Sequence, residues 1–425
     1  DYLPAYSGTF DGAGHTIQGI YCIDQRDARA GLFGYVNGAT IKNVKVTGYI
    51  KNDGFVGGIA AYIRNGTSIT GCVNASTVIA TGLEVDSPSA GGIVGCSEHN
   101  TQNQITDCIN TGTVKVIVLK GSYSSAGGIL GNAINRTLIS NCSNFGTVSG
   151  SQFENAASTI CYVGGIAGRI VSTTVSDCYN VGAVTDTANP EPQIGGIVGC
   201  LDSETSHLAN SYNVGKVTAA SAAANLGGVA GSVSDKPATI TNCYYLTGTA
   251  GQACGQNNGV ITPTTTEKSA FDFANGGVLT LLMANRPANA QPWDTTCKYL
   301  ESAGMTLPVL AKQNLTAHTH VWSTYTTDTV AKTHTRSCAC GVAETEACTI
   351  TPATCKDGSA CAVCGQQYGG PDTGKHADLQ HFPAVAATTD AEGNTEYWYC
   401  GGCGKYFADA AAAKEITRAD TVTAK

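Results

Sequence analysis

Eight of the chain's nineteen cysteines and five of its eight histidines follow Thr316, and their spacing is that of metal ligands. Cys361-Ala362-Val363-Cys364-Gly365 and Cys400-Gly401-Gly402-Cys403-Gly404 are knuckle-like Cys-X-X-Cys-Gly turns. In such a turn two thiolates can bind one metal ion while glycine permits the tight reversal. Cys338-Ala339-Cys340-Gly341 is a version one residue shorter. Three modules can be drawn along the chain. The first uses His320, His334, Cys338 and Cys340, and the second uses Cys348, Cys355, Cys361 and Cys364. The third has Cys400 and Cys403 with His376 or His381, and it lacks an evident fourth ligand. Each module is too small to bury a useful core and so needs a staple. Structural zinc is the cofactor this pattern points to. Disulfides (Cys355 with Cys361 or Cys364) and bare thiols compete with it, since an extracellular setting favours oxidation. Interleaved histidines, however, have no purpose in a disulfide framework. No set leaves an open position beside a general base, so catalytic zinc is not expected.

The elements ahead of this tail are repeats. Gly-Gly-Ile-X-Gly and close variants begin at Gly57, Gly91, Gly127, Gly164, Gly195 and Gly227, at spacings of 34, 36, 37, 31 and 32 residues. A period in this range marks stacked units, each unable to bury its apolar face alone. A second block follows each one, such as Ile105-Thr106-Asp107-Cys108-Ile109-Asn110 and Ile139-Ser140-Asn141-Cys142-Ser143-Asn144. A third is Gly-X-Val, as in Gly112-Thr113-Val114 and Gly146-Thr147-Val148. Alternation of apolar and small polar residues within each run reads as strand.

Three short strands per repeat, stacked in register, predict an all-β fold: a right-handed parallel β-helix of about seven coils, spaced at about 4.8 Å. Ile93, Ile129, Ile166 and Ile197 would fill its interior, with Ile69, Ile105, Ile139 and Val175 on a second wall. The glycine pairs are expected to allow close approach and positive φ at corners. Asn74, Asn110, Asn144, Asn180 and Asn213 suit a ladder of stacked amides. Cys72, Cys108, Cys142, Cys178 and Cys243 would be buried thiols acting as small hydrophobes. Side chains stacked in register keep their β-carbons too far apart for a good disulfide.

The predicted organisation is a β-helix over residues 1–250, a cap over 251–315, two small Cys/His modules over 316–370 and a third over 371–425. The last two regions are expected to be small β-hairpin, zinc-ribbon-like units. A solenoid needs a cap to stop its edge strands from recruiting further chains. The helical stretch from Thr266 to Met283, broken at Gly276-Gly277, fits that role together with Trp293 and Leu307-Pro308-Val309-Leu310. Charged residues are only 13% and the formal charge is -8, which argues against nucleic acid and anionic membranes as partners. No apolar run approaches the roughly 20 residues of a membrane-spanning helix. The chain enters a repeat almost at once, at Phe10-Asp11-Gly12, and so reads as a piece of something longer.

Tyr6-Ser7-Gly8-Thr9-Phe10-Asp11-Gly12-Ala13-Gly14-His15-Thr16-Ile17 and Gly31-Leu32-Phe33-Gly34, followed by Ala39-Thr40-Ile41-Lys42-Asn43-Val44, resemble the GLUG-motif repeats of bacterial surface proteins. The resemblance covers residues 1 to about 250. It implies a secreted or wall-associated protein with a β-helical stalk; some relatives are immunoglobulin A-specific metalloproteases. No His-Glu-X-X-His occurs in this chain. The tail is similar to the Cys-X-X-Cys-Gly repeats that trail such proteins, most closely over Tyr397-Trp398-Tyr399-Cys400 and Lys405-Tyr406-Phe407. Where such repeats often carry a further cysteine, this chain has Thr388-Thr389.

The expected function is non-enzymatic: a monomeric extracellular or cell-wall-associated stalk or adhesion protein, presenting solenoid loops to a host or carbohydrate ligand. The alternatives are a carbohydrate-active β-helix enzyme, or the accessory region of a larger secreted enzyme such as a surface protease. Glycan-cleaving sites need convergent carboxylates. Asp107 and Asp177 share a column but lie two coils apart with Asn141 between them, so no dyad forms by adjacent stacking.

Overall fold

The computed structural model describes residues 4–23, 28–83, 85–98, 101–118, 123–153, 160–234, 236, 238–258, 265–284, 286, 292–313, 323–337 and 343–425. The chain divides into two compact units, Asp1–His318 and Thr319–Lys425.

The first unit is a parallel β-solenoid of about seven turns. One turn runs through the strands Ser89–Gly91, Val94–Glu98, Asn103–Thr106, Ile109–Asn110 and Val114–Val118. Each pairs in parallel with its counterparts one turn before and one turn after, so four sheets of 7, 8, 8 and 14 strands run along the axis. The register follows the repeats. Gly91 lies between Gly57 and Gly127, and Ile105 lies between Ile69 and Ile139. The expected three strands per turn are five, because two of the sequence blocks each contain a corner.

One of those corners is set by backbone conformation. The residue just before the cysteine column is left-handed in every turn: Asn43 (φ 54), Gly71 (φ 63), Asp107 (φ 55), Asn141 (φ 54), Asp177 (φ 55), Asn210 (φ 48) and Asn242 (φ 52). Asn, Asp and Gly are the residues that enter this region at least cost. The column alternates among those three types for that reason, and its two aspartates need no catalytic explanation.

The glycine pairs do something else. They are absent from the left-handed residues, so the expected positive φ at these positions is not found. They are required by contact instead. A β-carbon on Gly92 would lie 2.1 Å from the Gly128 carbonyl oxygen and 2.5 Å from Cγ of Asn110. One on Gly128 would lie 2.1 Å from the Gly165 oxygen and 2.4 Å from Cγ of Asn144. The Gly-Gly corner therefore packs its bare backbone directly onto the asparagine column.

That column is the expected amide ladder. Nδ2 of Asn74, Asn110, Asn144 and Asn180 donates to Oδ1 of the next asparagine at 2.8, 2.7, 2.7 and 2.8 Å. Each Nδ2 also donates to the carbonyl two residues on, as from Asn144 to Gly146 at 2.8 Å. The Gly146 N–H returns a bond to Asn144 Oδ1 at 3.2 Å. Each amide thus closes its own turn, and each before Asn213 also binds the next one. Tyr245 takes the position after Asn213 and ends the ladder.

This contact forms a waist with a separate apolar core on each side. Ile93, Ile129, Ile166 and Ile197 meet Ile69, Ile105, Ile139 and Val175 in the larger core, which also holds the cysteine column. Val78, Val114, Val148 and Val184 meet Val56, Ala90, Ala126, Val163 and Ile194 in the smaller one. Cys72, Cys108, Cys142, Cys178 and Cys243 are buried and unpaired, as expected. The Cys108 N–H points at Cys142 Sγ at 3.4 Å, so neighbouring thiols do lie over one another. Burial pushes the thiols of Cys108 and Cys142 well above the ordinary range, which leaves them inert.

The segment expected to cap the end does that only in part. Cys254–Asn257 and Thr265–Lys268 add parallel strands to the last turn. Because 265–268 is strand, the helix expected from Thr266 begins later, at Ala270–Ala274. The left-handed Gly276 (φ 83) separates it from a second helix, Gly277–Met283. The chain then folds back along the side of the solenoid. Phe273, Val278, Leu282, Trp293 and Leu307 pack on Tyr179, Tyr212 and Tyr244, whose rings stand one turn apart in the column that holds Val73, Ile109 and Ser143 lower down. Arg286 pairs with Asp177, and Lys312 Nζ reaches Asp107 Oδ2 at 2.8 Å. The hydroxyls of Tyr179 and Tyr212 donate to Gln313 Oε1 and the Pro308 carbonyl.

Two measurements check this architecture. Gly128→Ala should cost roughly 2–3 kcal/mol in urea denaturation, as overpacking against a fixed backbone does; a wild-type midpoint would contradict the waist. Trp293→Ala should remove amide-exchange protection from residues 270–283 while Ile129 and Ile166 keep theirs. Equal loss in both regions would show that the lateral segment is not a separate layer.

Candidate metal centres

The second unit holds little apolar material. Among its described residues the buried hydrophobics are Cys361, Cys400 and Phe407, far too few to offset the entropy of ordering such a chain. Its strands are short and antiparallel. Thr326–Asp328, Thr333–Ser337 and Ala343–Ala347 form one sheet, and Leu379–Phe382, Tyr397–Cys400, Tyr406–Phe407 and Glu415–Ile416 form another.

His334 lies on a strand of the first sheet and Cys348 just after it, whereas the Cys361 knuckle belongs to a separate pairing of Ile350–Thr351 with Ala360–Cys361. The Cys400 knuckle closes the strand Tyr397–Cys400 of the second sheet. In both knuckles the glycine is left-handed, Gly365 at φ 75 and Gly404 at φ 74. Its N–H bonds back to the first cysteine's carbonyl, at 3.0 Å for Gly365 to Cys361 and 2.8 Å for Gly404 to Cys400. The two turns are local copies of one another, as their shared sequence predicts.

Around them the structure assembles two four-residue clusters, His334–Cys348–Cys361–Cys364 and Cys355–His376–Cys400–Cys403. In the first, His334 Nδ1 lies 3.4 Å from Cys348 Sγ and 3.7 Å from Cys361 Sγ, and Cys348 Sγ lies 4.0 Å from Cys364 Sγ. In the second, Cys355 Sγ lies 3.4 Å from Cys400 Sγ, and Cys403 Sγ lies 3.4 Å from His376 Nδ1. A tetrahedral ion with bonds of about 2.3 Å to sulfur and about 2.0 Å to nitrogen places its ligand atoms about 3.5–3.8 Å apart. A disulfide needs about 2.05 Å, and all six cysteines are unpaired. Three sulfurs and one imidazole suit a borderline-soft ion.

In each cluster one thiol is favoured as thiolate, Cys361 and Cys400, while burial raises its neighbour, Cys348 in the first and Cys355, to about 11, in the second. The Cys364 N–H points at Cys361 Sγ and, with that of Val363, draws its thiol down to about 6 despite burial. Burial opposes ionisation of Cys400, but the Cys403 N–H, Cys355 and His376 outweigh it and bring that thiol to about 6 as well. His334 is 1% exposed. Its Nδ1 faces the sulfurs while Nε2, with no hydrogen-bond partner, lies 3.7 Å from Glu346 Oε2.

The grouping differs from the one expected along the chain. His334 completes the set of Cys348, Cys361 and Cys364, and Cys355 leaves that set for the one holding Cys400 and Cys403. His376, and not His381, joins the second cluster. The ring of His381 stacks on Trp398 at 4.6 Å, with Nε2 2.9 Å from Glu396 Oε1. His320, Cys338 and Cys340 lie outside the described residues. Knuckle spacing marks one pair of ligands in each site. The partners of that pair depend on strand pairing, which the spacing does not encode.

No protein-family model matches this chain, and no curated protein matches it. Two chains among solved structures do. One is a crystal structure described as a "putative immunoglobulin A1 protease from Bacteroides ovatus", 23% identical, covering 70% of this chain and 86% of that one at a TM-score of 0.40. A likeness at that level carries no argument about activity.

The two histidines provide the check. His334→Ala should lose one equivalent of bound metal by elemental analysis, while His381→Ala keeps the wild-type content. The reverse pattern would overturn the assignment.

Proposed function

We propose that this chain is a non-enzymatic stalk or adhesion protein of the GLUG-repeat kind, working outside the cell or in the cell wall. Its solenoid presents loops to a host or carbohydrate ligand, and its tail is stapled by structural zinc. The observation that carries the non-enzymatic reading is the fate of the two aspartates that share a column. Both occupy a corner that demands a left-handed residue, and both are tied to the lateral segment, Asp107 by Lys312 and Asp177 by Arg286. A glycan-cleaving site would need such carboxylates convergent and free to reach substrate. Among the described residues no helix is long and apolar enough to cross a membrane.

Zinc fits the donor sets better than calcium or magnesium, which take oxygen ligands. In each site four protein ligands would close a tetrahedron and leave no position for substrate, which is the mark of a structural ion. The residues that would hold it are those of the two clusters above.

Two tests apply. A chelator should unfold residues 323–425 and leave the solenoid's far-ultraviolet signal and amide protection unchanged; a tail that stays folded without metal would refute the staple. Glycan and extracellular-matrix arrays should show binding that shortening of the solenoid loops abolishes. Turnover in a polysaccharide-degradation screen would favour the enzyme reading instead.

A further inference from the structure

The second cluster contains a ligand from the wrong stretch of chain. Residues 371–425 hold two cysteines, Cys400 and Cys403, and two histidines, and one of those, His381, is engaged by Trp398 and Glu396. They can therefore supply three ligands to a four-ligand site. The fourth is Cys355, which in sequence lies between Cys348 and Cys361 of the first cluster.

The backbone shows how it gets there. The Cys355 N–H donates to the Lys375 carbonyl at 2.8 Å, and the Asp372 N–H donates to the Thr354 carbonyl at 2.9 Å. These bonds hold the 354–355 segment against the stretch that ends at His376. Cys355 Sγ is delivered to Cys400 Sγ at 3.4 Å.

We propose that the two sites are interlocked zinc centres, the second completed by Cys355 out of the loop that the first site closes. The proposal rests on the zinc reading above and adds the pairing. The loop from Cys348 to Cys361 is pinned at both ends by one ion and at its middle by the other. Filling either site fixes that loop and lowers the entropy cost of filling the other, so the two ions bind with positive coupling. The tail then folds as one unit instead of as beads on a string.

The test uses the full chain with zinc as the probe. Native mass spectrometry counts the ions and maleimide labelling maps the unprotected cysteines, in wild type and in Cys355→Ser. Wild type should hold two zinc ions at the described clusters. Cys355→Ser should release one, exposing Cys400 and Cys403 to label while Cys348, Cys361 and Cys364 stay protected at high zinc. It should also raise the zinc concentration needed to fill the remaining site by fivefold or more, in line with ordinary coupling between sites. Labelling of Cys361 and Cys364 with Cys400 and Cys403 protected would overturn the pairing and restore modules that follow chain order. An unchanged zinc requirement at the remaining site would overturn the coupling. Wild type without zinc would instead refute the staple itself. If Cys355→Ser fails to fold, Cys403→Ser serves: it should expose Cys355 and Cys400 together, and protection of Cys355 there would contradict the proposal.

Discussion

The contact between the glycine pairs and the asparagine ladder is the constraint on which the solenoid depends. It brings two backbone corners from opposite sides of each turn closer than any side chain allows, and it fills the narrow space between them with a column of amides. Each amide satisfies turn carbonyls and N–H groups that would otherwise be buried without partners. The two apolar cores follow from it. Without the waist a turn this long would have to fill one wide interior; with it, Ile, Val and Ala suffice on either side. The glycines and asparagines therefore repeat as strictly as the isoleucines, and for the same turn-by-turn reason.

Much of this was legible in the residues. The period, the parallel stacking, the isoleucine walls, the amide ladder and the buried thiols all follow from columns that recur at fixed offsets. The meaning of the glycines was only half legible. Composition cannot distinguish a glycine that needs positive φ from one that needs the absence of a β-carbon, and here Gly92 and Gly128 are of the second kind while Gly71 is of the first. The lateral segment also has a signal in the sequence. Valine, isoleucine and serine give way to Tyr179, Tyr212 and Tyr244 in one outward column, and aromatic rings on an exposed face ask for a cover. In the tail the two knuckles were plain, but the exchange of His334 and Cys355 between sets depends on strand pairing that spacing does not carry.

The two units solve the same problem by different means. A solenoid turn cannot bury its own apolar face, so stability comes from neighbours and grows with the number of turns. The tail has too few apolar residues for that route, and in the zinc reading proposed above chelation would take the place of a core.

A double-mutant cycle between Gly128 and Asn144 tests the waist most directly. If the added methyl of Gly128→Ala strikes the Asn144 amide, removing that amide with Asn144→Ala should relieve part of the clash. The double variant should then be more stable than the sum of the singles by at least about 1 kcal/mol, a coupling typical of residues in contact. Strict additivity would mean that the two positions do not touch, and the division of the solenoid into two cores around a glycine–amide waist would be wrong.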